Sequence, residues 1–240
     1  MSTQIELKAL VLLKGDLAAA KGAPVGRVSD LPNTCTCIGG HGKRAIDIIV
    51  ATLALIVLAV PMLMVAVLIR LTMGGPVIFR HVRVGLGGAL FECLKFRTMI
   101  SDSDAALARH LAENPEAALE WQKTRKLKKD PRVTWLGRAL RTSSLDELPQ
   151  LFNILKGEMS CVGPRPIVAD ELALYEQEAE KYLQVRPGLT GLWQVSGRSE
   201  LSYGDRVALD AAYVSNWSMW GDLVIIARTA PALLKSHQTS

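Results

Sequence analysis

The sequence predicts a mainly helical α+β protein, in which a membrane-inserted helix precedes a small domain with a β-hairpin and amphipathic interfacial helices. Three observations support this fold class. Residues 48–69 form an uncharged apolar run, residues 77–96 are typical of two strands around a glycine-rich turn, and much of the remaining chain has helical patterns. The chain divides into a flexible N-terminal extension (1–42), a membrane-inserted helix (43–73) and one domain (74–236).

The membrane-inserted helix rests on the run Ile48–Ile69, which holds 22 residues without a charge. As a straight helix it would be about 33 Å long, enough to cross the hydrocarbon core of a bilayer. Cations flank both ends, Lys43 before the run and Arg70 after it, and positive residues favour the cytoplasmic side. Pro61, near the middle, removes a helix hydrogen bond and crowds the preceding turn. We expect a re-entrant helix bent at Pro61 with both ends in the cytoplasm. The alternative is a spanning helix with residues 1–42 outside.

The extension lacks a clear period, and its apolar run Leu10–Leu13 is too short for a signal peptide. In the domain, strands are expected over Val77–Val84 and Leu90–Phe96, joined by a turn at Gly85–Gly88. Helical segments are expected from Ser101 to about Lys129 with an interruption near Pro115, over Ile167–Gln184 and over Tyr203–Val214. The apolar stretch Leu223–Leu234, with Trp217 and Trp220 before it, suits an interfacial helix or a domain core.

The composition is basic, with a net charge of +5 and a pI of about 9.1. Such a balance favours anionic partners, which include nucleic acid, lipid headgroups and phosphorylated substrates. Eight cations lie within 20 residues over 123–141, against Asp130 alone. They indicate either a solvated helix face or contact with anionic headgroups.

Several site classes lack their signatures. The four cysteines show neither zinc-finger spacing nor a disulfide framework, so free thiols in a reducing cytoplasm are expected. The turn at Gly85–Gly88 lacks the third glycine of a dinucleotide fingerprint, and no phosphate-binding loop motif occurs.

The candidate chemistry centres on Asp146 and Glu147. Ser144 and Glu147 have the spacing of a capping box, and Pro149 suits a first helical turn. These signals leave open which residue caps the helix, but with either cap both carboxylates are expected at a helix N-terminus. Such a position favours anions, and a divalent cation or Arg141 would relieve the repulsion between the carboxylates. Consecutive helical residues point about 100° apart, so the two acids would have different roles. From this segment alone, simple helix capping is the stronger interpretation.

Further cations suited to phosphate surround this segment in the sequence. Lys95 and Arg97 end a predicted strand, Arg165 lies between two prolines, and Arg186 and Arg198 lie at turns. Arginine on a stiff loop suits bidentate phosphate binding. Each alone is better explained by a surface position, but together they favour a phosphate site.

Several longer stretches share a recognisable order along the chain from about Lys43 to the C-terminus. They are Gly75–Phe79, Arg83–Gly85, Lys95–Met99, Thr142–Gln150, Asn153–Ser160, Val162–Pro166, Arg186–Gly191 and Gln194–Arg198. In these stretches the sequence resembles the bacterial sugar transferases, the monotopic polyprenyl-phosphate hexose-1-phosphate transferases. It is most similar to the branch that initiates exopolysaccharide synthesis with galactose-1-phosphate or glucose-1-phosphate.

The resemblance implies a two-step mechanism. Asp146 matches the family nucleophile, which attacks the sugar-bearing phosphate of a UDP-sugar and expels UMP; undecaprenyl phosphate then takes the phosphosugar from the aspartyl intermediate. Glu147 matches a residue that helps hold Mg²⁺ together with Asp146. The residues that match family phosphate-site positions are Lys95, Arg141, Arg165, Arg198 and, as a weaker correspondence, Arg186. Arg97 is also expected to bind phosphate, from its place at the end of the predicted strand.

The resemblance also implies an inner-membrane protein with its catalytic domain in the cytoplasm and without a nucleic-acid partner. One departure weakens the expected bend, because Val60-Pro61 replaces a Ser-Pro pair that is frequent in the family. Two alternatives remain: a non-catalytic membrane adaptor that binds anionic lipid, and a nucleic-acid-binding protein suggested only by the pI. The sequence identifies neither the sugar nor the oligomeric state, and a homodimer stays open.

Overall fold

The structure is a computed structural model that describes residues 37–124, 127, 129–197 and 201–235. The predicted N-terminal extension therefore lies outside the described residues except for its last six. The described chain forms two compact units. The larger unit comprises the residues up to Val57, Arg80–Leu94 and Gln150–Ala232, and the smaller unit comprises Leu58–Phe79, Lys95–Pro149 and the residues from Leu233 onward.

The chain is mainly helical, with short strands, as the sequence predicts. The α-helices and strands are α1 (Gly40–Met73), β1 (Ile78–Val84), β2 (Leu90–Phe96), α2 (Ser103–Glu113), α3 (Pro115–Thr124), α4 (Trp135–Thr142), α5 (Gln150–Lys156), β3 (Ser160–Val162), α6 (Ala169–Leu172), α7 (Ala179–Leu183), β4 (Gly188–Thr190), α8 (Leu192–Ser196), α9 (Tyr203–Ser215) and α10 (Met219–Lys235). Short 3₁₀ turns cover Leu86–Gly88, Leu145–Glu147 and Ala173–Glu178.

Helix α1 has 34 residues, which corresponds to about 51 Å, and it includes Pro61 without a break. Among the described helices it alone is long and apolar enough to cross a membrane, and only 17% of its most apolar stretch of 18 residues is buried. Large apolar side chains such as Ile56, Val57 and Leu63 are more than half exposed. A core helix of a soluble protein would have these apolar side chains covered by other residues. The exposed apolar surface of α1 therefore suits a bilayer. Its re-entry and a bend at Pro61 stay predictions.

Strands β1 and β2 form the expected two-stranded hairpin sheet, with a 3₁₀ turn at Leu86–Gly88 between them. The expected helix Ser101–Lys129 is divided into α2 and α3 at Asn114, where the sequence has Pro115 next. The single helix expected over Ile167–Gln184 is wrong. The chain there forms α6, a 3₁₀ turn and α7, and Glu176 within the turn has a φ of 46°, which no continuous α-helix accommodates.

The core of the larger unit explains why that segment is folded rather than straight. Tyr175 and Tyr182 are buried with Val84, Ile167 and Val207, and their rings pack edge to face with centroids 5.2 Å apart. A second sheet, absent from the sequence expectation, pairs β3 and β4 in parallel, with Ser160 opposite Gly188 and Val162 opposite Thr190.

A buried polar network attaches the start of α1 to the larger unit. Lys43 Nζ donates to Asp222 Oδ2 at 2.5 Å, to the Tyr213 hydroxyl at 3.2 Å and to the Val162 carbonyl oxygen at 2.9 Å. One turn later, Asp47 Oδ1 accepts the backbone N–H of Cys161 at 2.8 Å. Removal of one partner from a buried ion pair costs roughly 3–5 kcal/mol, so this network fixes the beginning of an otherwise apolar helix.

Candidate active site

The two candidate carboxylates lie together in the 3₁₀ turn Leu145–Glu147 of the smaller unit. Asp146 is 8% exposed, so it is nearly buried. The turn is held by backbone bonds from the N–H of Glu147 to the Ser144 carbonyl oxygen and from the N–H of Leu148 to that of Leu145. The two acids therefore occupy adjacent positions in a short, defined turn.

The capping box that the spacing of Ser144 and Glu147 indicates does not form. Ser144 has a φ of 57°, in the left-handed region, and its side chain makes no capping hydrogen bond. Its backbone N–H donates to the Arg141 carbonyl oxygen, so Ser144 ends helix α4 instead of starting the next helix. The next α-helix, α5, begins only at Gln150, after Pro149. The carboxylates thus precede α5 rather than occupying its first turn.

Lys95 forms an ion pair with Glu147. Its Nζ atom lies 2.6 Å from Glu147 Oε1, and the two side chains are 21% and 18% exposed. Lys95 is near the end of β2, so the sheet holds the position from which the ammonium group reaches the carboxylate turn. A charge-assisted bond of this length is among the stronger polar contacts in proteins.

Arg141 is held beside the same turn. Its Nε atom donates to Thr98 Oγ1 at 2.9 Å. Burial lowers the pKa of Arg141, and the carboxylates of Asp146 and Asp130 act in the opposite direction. Asp146 therefore lies within the electrostatic reach of this guanidinium group.

Close packing sets the position of α4, which carries Arg141. A Cβ atom on Gly137 would lie 1.9 Å from the main-chain oxygen of Thr98, so only glycine permits this approach. Thr134 caps the helix by accepting the N–H of Gly137 at 2.9 Å, and the Thr134 N–H donates to the Thr98 oxygen at 3.2 Å. Thr98 belongs to the stretch Lys95–Met99, but the sequence pattern predicts no role for it. Gly137, a glycine within a helical segment, is the feature of the sequence that indicates close packing at this position.

Arg97, which was predicted to bind phosphate, lies against the end of α1 in the smaller unit. Its Nη2 atom donates to the carbonyl oxygens of Met73, at 3.1 Å, and of Gly74. Its Nη1 atom lies 3.3 Å from Ser101 Oγ. The guanidinium group is thus engaged with protein groups.

The remaining predicted phosphate ligands belong to the larger unit or lie outside the described residues. Arg165 lies over the Trp193 ring, 6.0 Å from its centroid, and Arg206, which sequence reasoning did not select, lies 4.9 Å from the same centroid. Arg186 donates from Nε to the Gly157 carbonyl oxygen at 2.7 Å and from Nη1 to Cys37 Sγ at 3.1 Å. Arg198 lies outside the described residues.

The described residues contain no group of three or more His, Cys, Asp or Glu side chains suited to a metal. The adjacent carboxylates of Asp146 and Glu147 nevertheless fit Mg²⁺, because this ion is usually held by one or two carboxylates together with substrate phosphates and water.

Of the predicted site residues, the smaller unit brings together Lys95, Arg141, Asp146 and Glu147.

Comparison with known proteins decides the family. The family described as bacterial sugar transferase matches residues 39–236. This chain is a bacterial sugar transferase. The resemblance drawn from the motifs is confirmed, and the chain is an enzyme of the phosphoglycosyl transferase class. The alternative of a non-catalytic adaptor does not agree with this membership.

Curated relatives of this sugar transferase include proteins of similar and of greater length. The exopolysaccharide production protein ExoY of Sinorhizobium fredii is 54% identical over 200 residues, which cover 83% of this chain and 88% of the relative. The undecaprenyl-phosphate galactose phosphotransferase of Salmonella typhimurium is 50% identical, over 80% of this chain and 40% of the relative. A UDP-glucose:undecaprenyl-phosphate glucose-1-phosphate transferase of Caulobacter vibrioides is 41% identical, over 80% of this chain and 69% of the relative.

Proposed function

We propose that this sugar transferase moves hexose-1-phosphate from a UDP-hexose to undecaprenyl phosphate, releases UMP and so initiates exopolysaccharide assembly. The observation that carries the proposal is the gathering of Asp146 and Glu147 in one turn with Lys95 and Arg141 beside them. A carboxylate nucleophile and fixed cations are what phosphoryl transfer through a covalent intermediate requires.

In the first step, a carboxylate oxygen of Asp146 attacks the sugar-bearing phosphorus of the UDP-hexose. The bond from that phosphorus to the bridging oxygen breaks, UMP leaves with the bonding electrons, and a phosphosugar–aspartyl ester remains. In the second step, an oxygen of the lipid phosphate attacks the same phosphorus and Asp146 leaves as a carboxylate. The product is an undecaprenyl diphosphate sugar, and no oxidant or reductant is needed.

The cations of the site have distinct roles in this scheme. Arg141, oriented by Thr98, faces the charge that develops on the transferred phosphoryl group. Lys95 orients Glu147 in the free enzyme and is placed to bind a phosphate oxygen when the diphosphate enters. Asp146 and Glu147 would hold Mg²⁺, which when bound neutralises charge on the diphosphate. Arg165 and Arg198 are proposed as further phosphate ligands.

The donor and acceptor follow from the relatives. Two of them are named for undecaprenyl phosphate, one with galactose and one with glucose, so UDP-galactose and UDP-glucose are the donors we propose. The apolar surface of α1 suits the lipid environment of such an acceptor. We place the protein at the inner membrane, with α1 re-entrant and the transferase domain on the cytoplasmic face, where nucleotide sugars are made.

The experiment that tests the function uses the full chain in nanodiscs with Mg²⁺ and UDP-hexoses labelled in the sugar. Without lipid acceptor, we expect up to one equivalent of label on the protein with an equal amount of UMP. Added undecaprenyl phosphate should transfer this label to lipid. A panel of UDP-galactose, UDP-glucose and UDP-N-acetylglucosamine identifies the sugar.

Two variants control this measurement. Asp146→Asn should take up no label, whereas Asp170→Asn, which changes an exposed carboxylate at the start of α6, should behave as the natural protein does. Release of UDP instead of UMP, or label on the lipid without any label on the protein, would contradict the aspartyl mechanism.

A further inference from the structure

The carbonyl groups at the C-terminal end of helix α1 need hydrogen-bond donors that the adjacent sequence does not supply. The last four carbonyl groups of an α-helix have no partner within the helix, and the negative end of the helix dipole lies there. After Met73 the chain continues as Gly74-Gly75-Pro76, which offers no side-chain donor. Arg70 donates to the Gly75 carbonyl oxygen at 3.2 Å. This bond does not serve the carbonyl oxygens of Met73 and Gly74.

Arg97 supplies the missing donors from a distant part of the sequence. Its Nη2 atom donates to both the Met73 and the Gly74 carbonyl oxygens, and its own backbone N–H donates to the Val77 carbonyl oxygen at 2.9 Å. The residue is only 7% exposed. One arginine therefore fastens the helix end and the following segment to the end of strand β2.

The residues on either side of Arg97 reach the carboxylate turn. Two positions earlier, Lys95 pairs with Glu147 at 2.6 Å. One position later, Thr98 accepts the bond from Arg141 at 2.9 Å. A change in the position of this short segment would therefore displace both the ammonium group and the hydroxyl group that set the site.

We propose that Arg97 is a positioning residue, which ties the C-terminal end of the apolar helix α1 to the segment Lys95–Thr98 and thereby fixes Lys95 and Thr98 against Glu147 and Arg141. This role replaces the direct phosphate contact predicted for Arg97 from the sequence. The effect on turnover rests on the proposed function, whereas the fastening of the helix end does not.

Two adjacent glycines provide a matched pair of probes. Gly74 and Gly75 have φ angles of 60° and 62°, so an alanine at either position is held in the left-handed region, and at position 75 the following Pro76 adds a further restriction. A Cβ atom on Gly75 would lie 2.9 Å from Arg97 Nη1, whereas one on Gly74 would meet nothing within 4 Å. Gly75→Ala thus displaces the guanidinium group without changing its charge. Gly74→Ala controls for the left-handed strain, and Arg97→Lys tests the same contact without the restriction from Pro76.

The experiment compares Gly74→Ala, Gly75→Ala and Arg97→Lys in the full chain in nanodiscs. Amide hydrogen exchange is followed in peptides that cover residues 70–77 and 95–99, and kcat and KM for the UDP-hexose are measured from UMP release. For Gly75→Ala and Arg97→Lys we expect faster exchange in both peptides and a kcat lower by on the order of tenfold, with KM changed by less than about twofold. Relative to the natural protein, Gly74→Ala should show the smaller change in every readout.

Either of two results would overturn the proposal. One is a KM for the UDP-hexose raised several-fold in Arg97→Lys with exchange unchanged, which would indicate a phosphate ligand. The other is equal exchange and turnover in the two alanine variants. If the natural protein released no UMP, the proposed function would fail, and the exchange contrast between Gly74→Ala and Gly75→Ala would still test the fastening of the helix end.

Discussion

Asp146 and Asp210 are both nearly buried, with 8% and 2% of their surface exposed, but their surroundings differ in charge. Asp146 shares a turn with Glu147 and lies in the field of Arg141. Asp210, on helix α9 of the larger unit, accepts a 2.9 Å hydrogen bond from the hydroxyl group of Tyr175. Tyr175 belongs to the buried cluster with Val84, Ile167 and Tyr182.

This difference shows why burial alone does not identify a catalytic carboxylate. Burial raises the pKa of Asp210 to about 7, and the Tyr175 hydrogen bond and the charge of Arg165 only partly oppose it. A carboxyl group in this setting keeps its proton up to about neutral pH and acts as a hydrogen-bonded part of the core. A nucleophile has to be ionised next to an anionic diphosphate, which requires neighbouring cations of the kind found beside Asp146.

The largest effect expected from this comparison is on turnover. Asp146→Asn should lower UMP release by on the order of 10³-fold or more, because the amide cannot attack phosphorus. Asp210→Asn should keep activity within about threefold of the natural protein at pH 7, since its carboxyl group serves packing. UMP release by both variants in detergent, with melting temperatures as the folding control, tests the contrast. Equal losses of UMP release in the two variants would contradict the proposed difference between Asp146 and Asp210.

The second expected effect concerns the packing that holds Arg141 near the carboxylate turn. In Gly137→Ala the new Cβ atom would lie 1.9 Å from the Thr98 main-chain oxygen, so α4 has to move. We expect a loss of about 1–3 kcal/mol in stability and a strong decrease in UMP release. Gly204→Ala is the control, because its Cβ atom would meet only Ser202 Oγ at 3.9 Å, and it should be neutral or stabilising. Similar melting temperatures for both variants would contradict the prediction.

A smaller effect is expected from the hydroxyl group that orients Arg141. Thr98→Val removes the acceptor at 2.9 Å from Arg141 Nε while it keeps the volume of the side chain. A hydrogen bond to a charged group is worth about 1.5–3 kcal/mol, so kcat/KM should fall by roughly tenfold or more. Thr98→Ser retains the acceptor and should stay within about threefold. An equal loss in the serine variant would mean that the methyl group, not the hydroxyl group, matters.

The smallest effect on turnover is expected at Asp210, which instead contributes a pH dependence of stability. Its folded pKa of about 7 lies above the unfolded value of about 3.9, so between these values the unfolded protein binds fewer protons. The free energy of unfolding therefore falls as pH rises through this window, and the contribution levels off above it.

Asp210→Asn removes this dependence, since the amide does not titrate. In thermal melts from pH 4.5 to 8, the natural protein should lose roughly 6–12 °C relative to the variant as pH rises. Asp170→Asn, at an exposed position, should follow the natural protein throughout. If the melting temperatures of the natural protein and Asp210→Asn changed equally with pH, Asp210 would not be a protonated core residue.

By itself the sequence determined the apolar helix, the hairpin, the family and the candidate nucleophile. An uncharged run of 22 residues, alternating strands around a glycine turn and ordered motifs are local patterns, and such patterns are readable along one chain. The same local reasoning failed at Ser144, where capping-box spacing was present but the left-handed backbone ends α4. It also failed over 167–184, because the tyrosine core folds that segment back.

Only the tertiary structure decided what these polar side chains contact. Three positions of one short motif, Lys95, Arg97 and Thr98, contact respectively a carboxylate, the end of the apolar helix and an arginine. The partners lie between 23 and 52 residues away along the chain. The periodicity of a segment tells which residues share a face, but not what that face meets, because that depends on how distant segments pack.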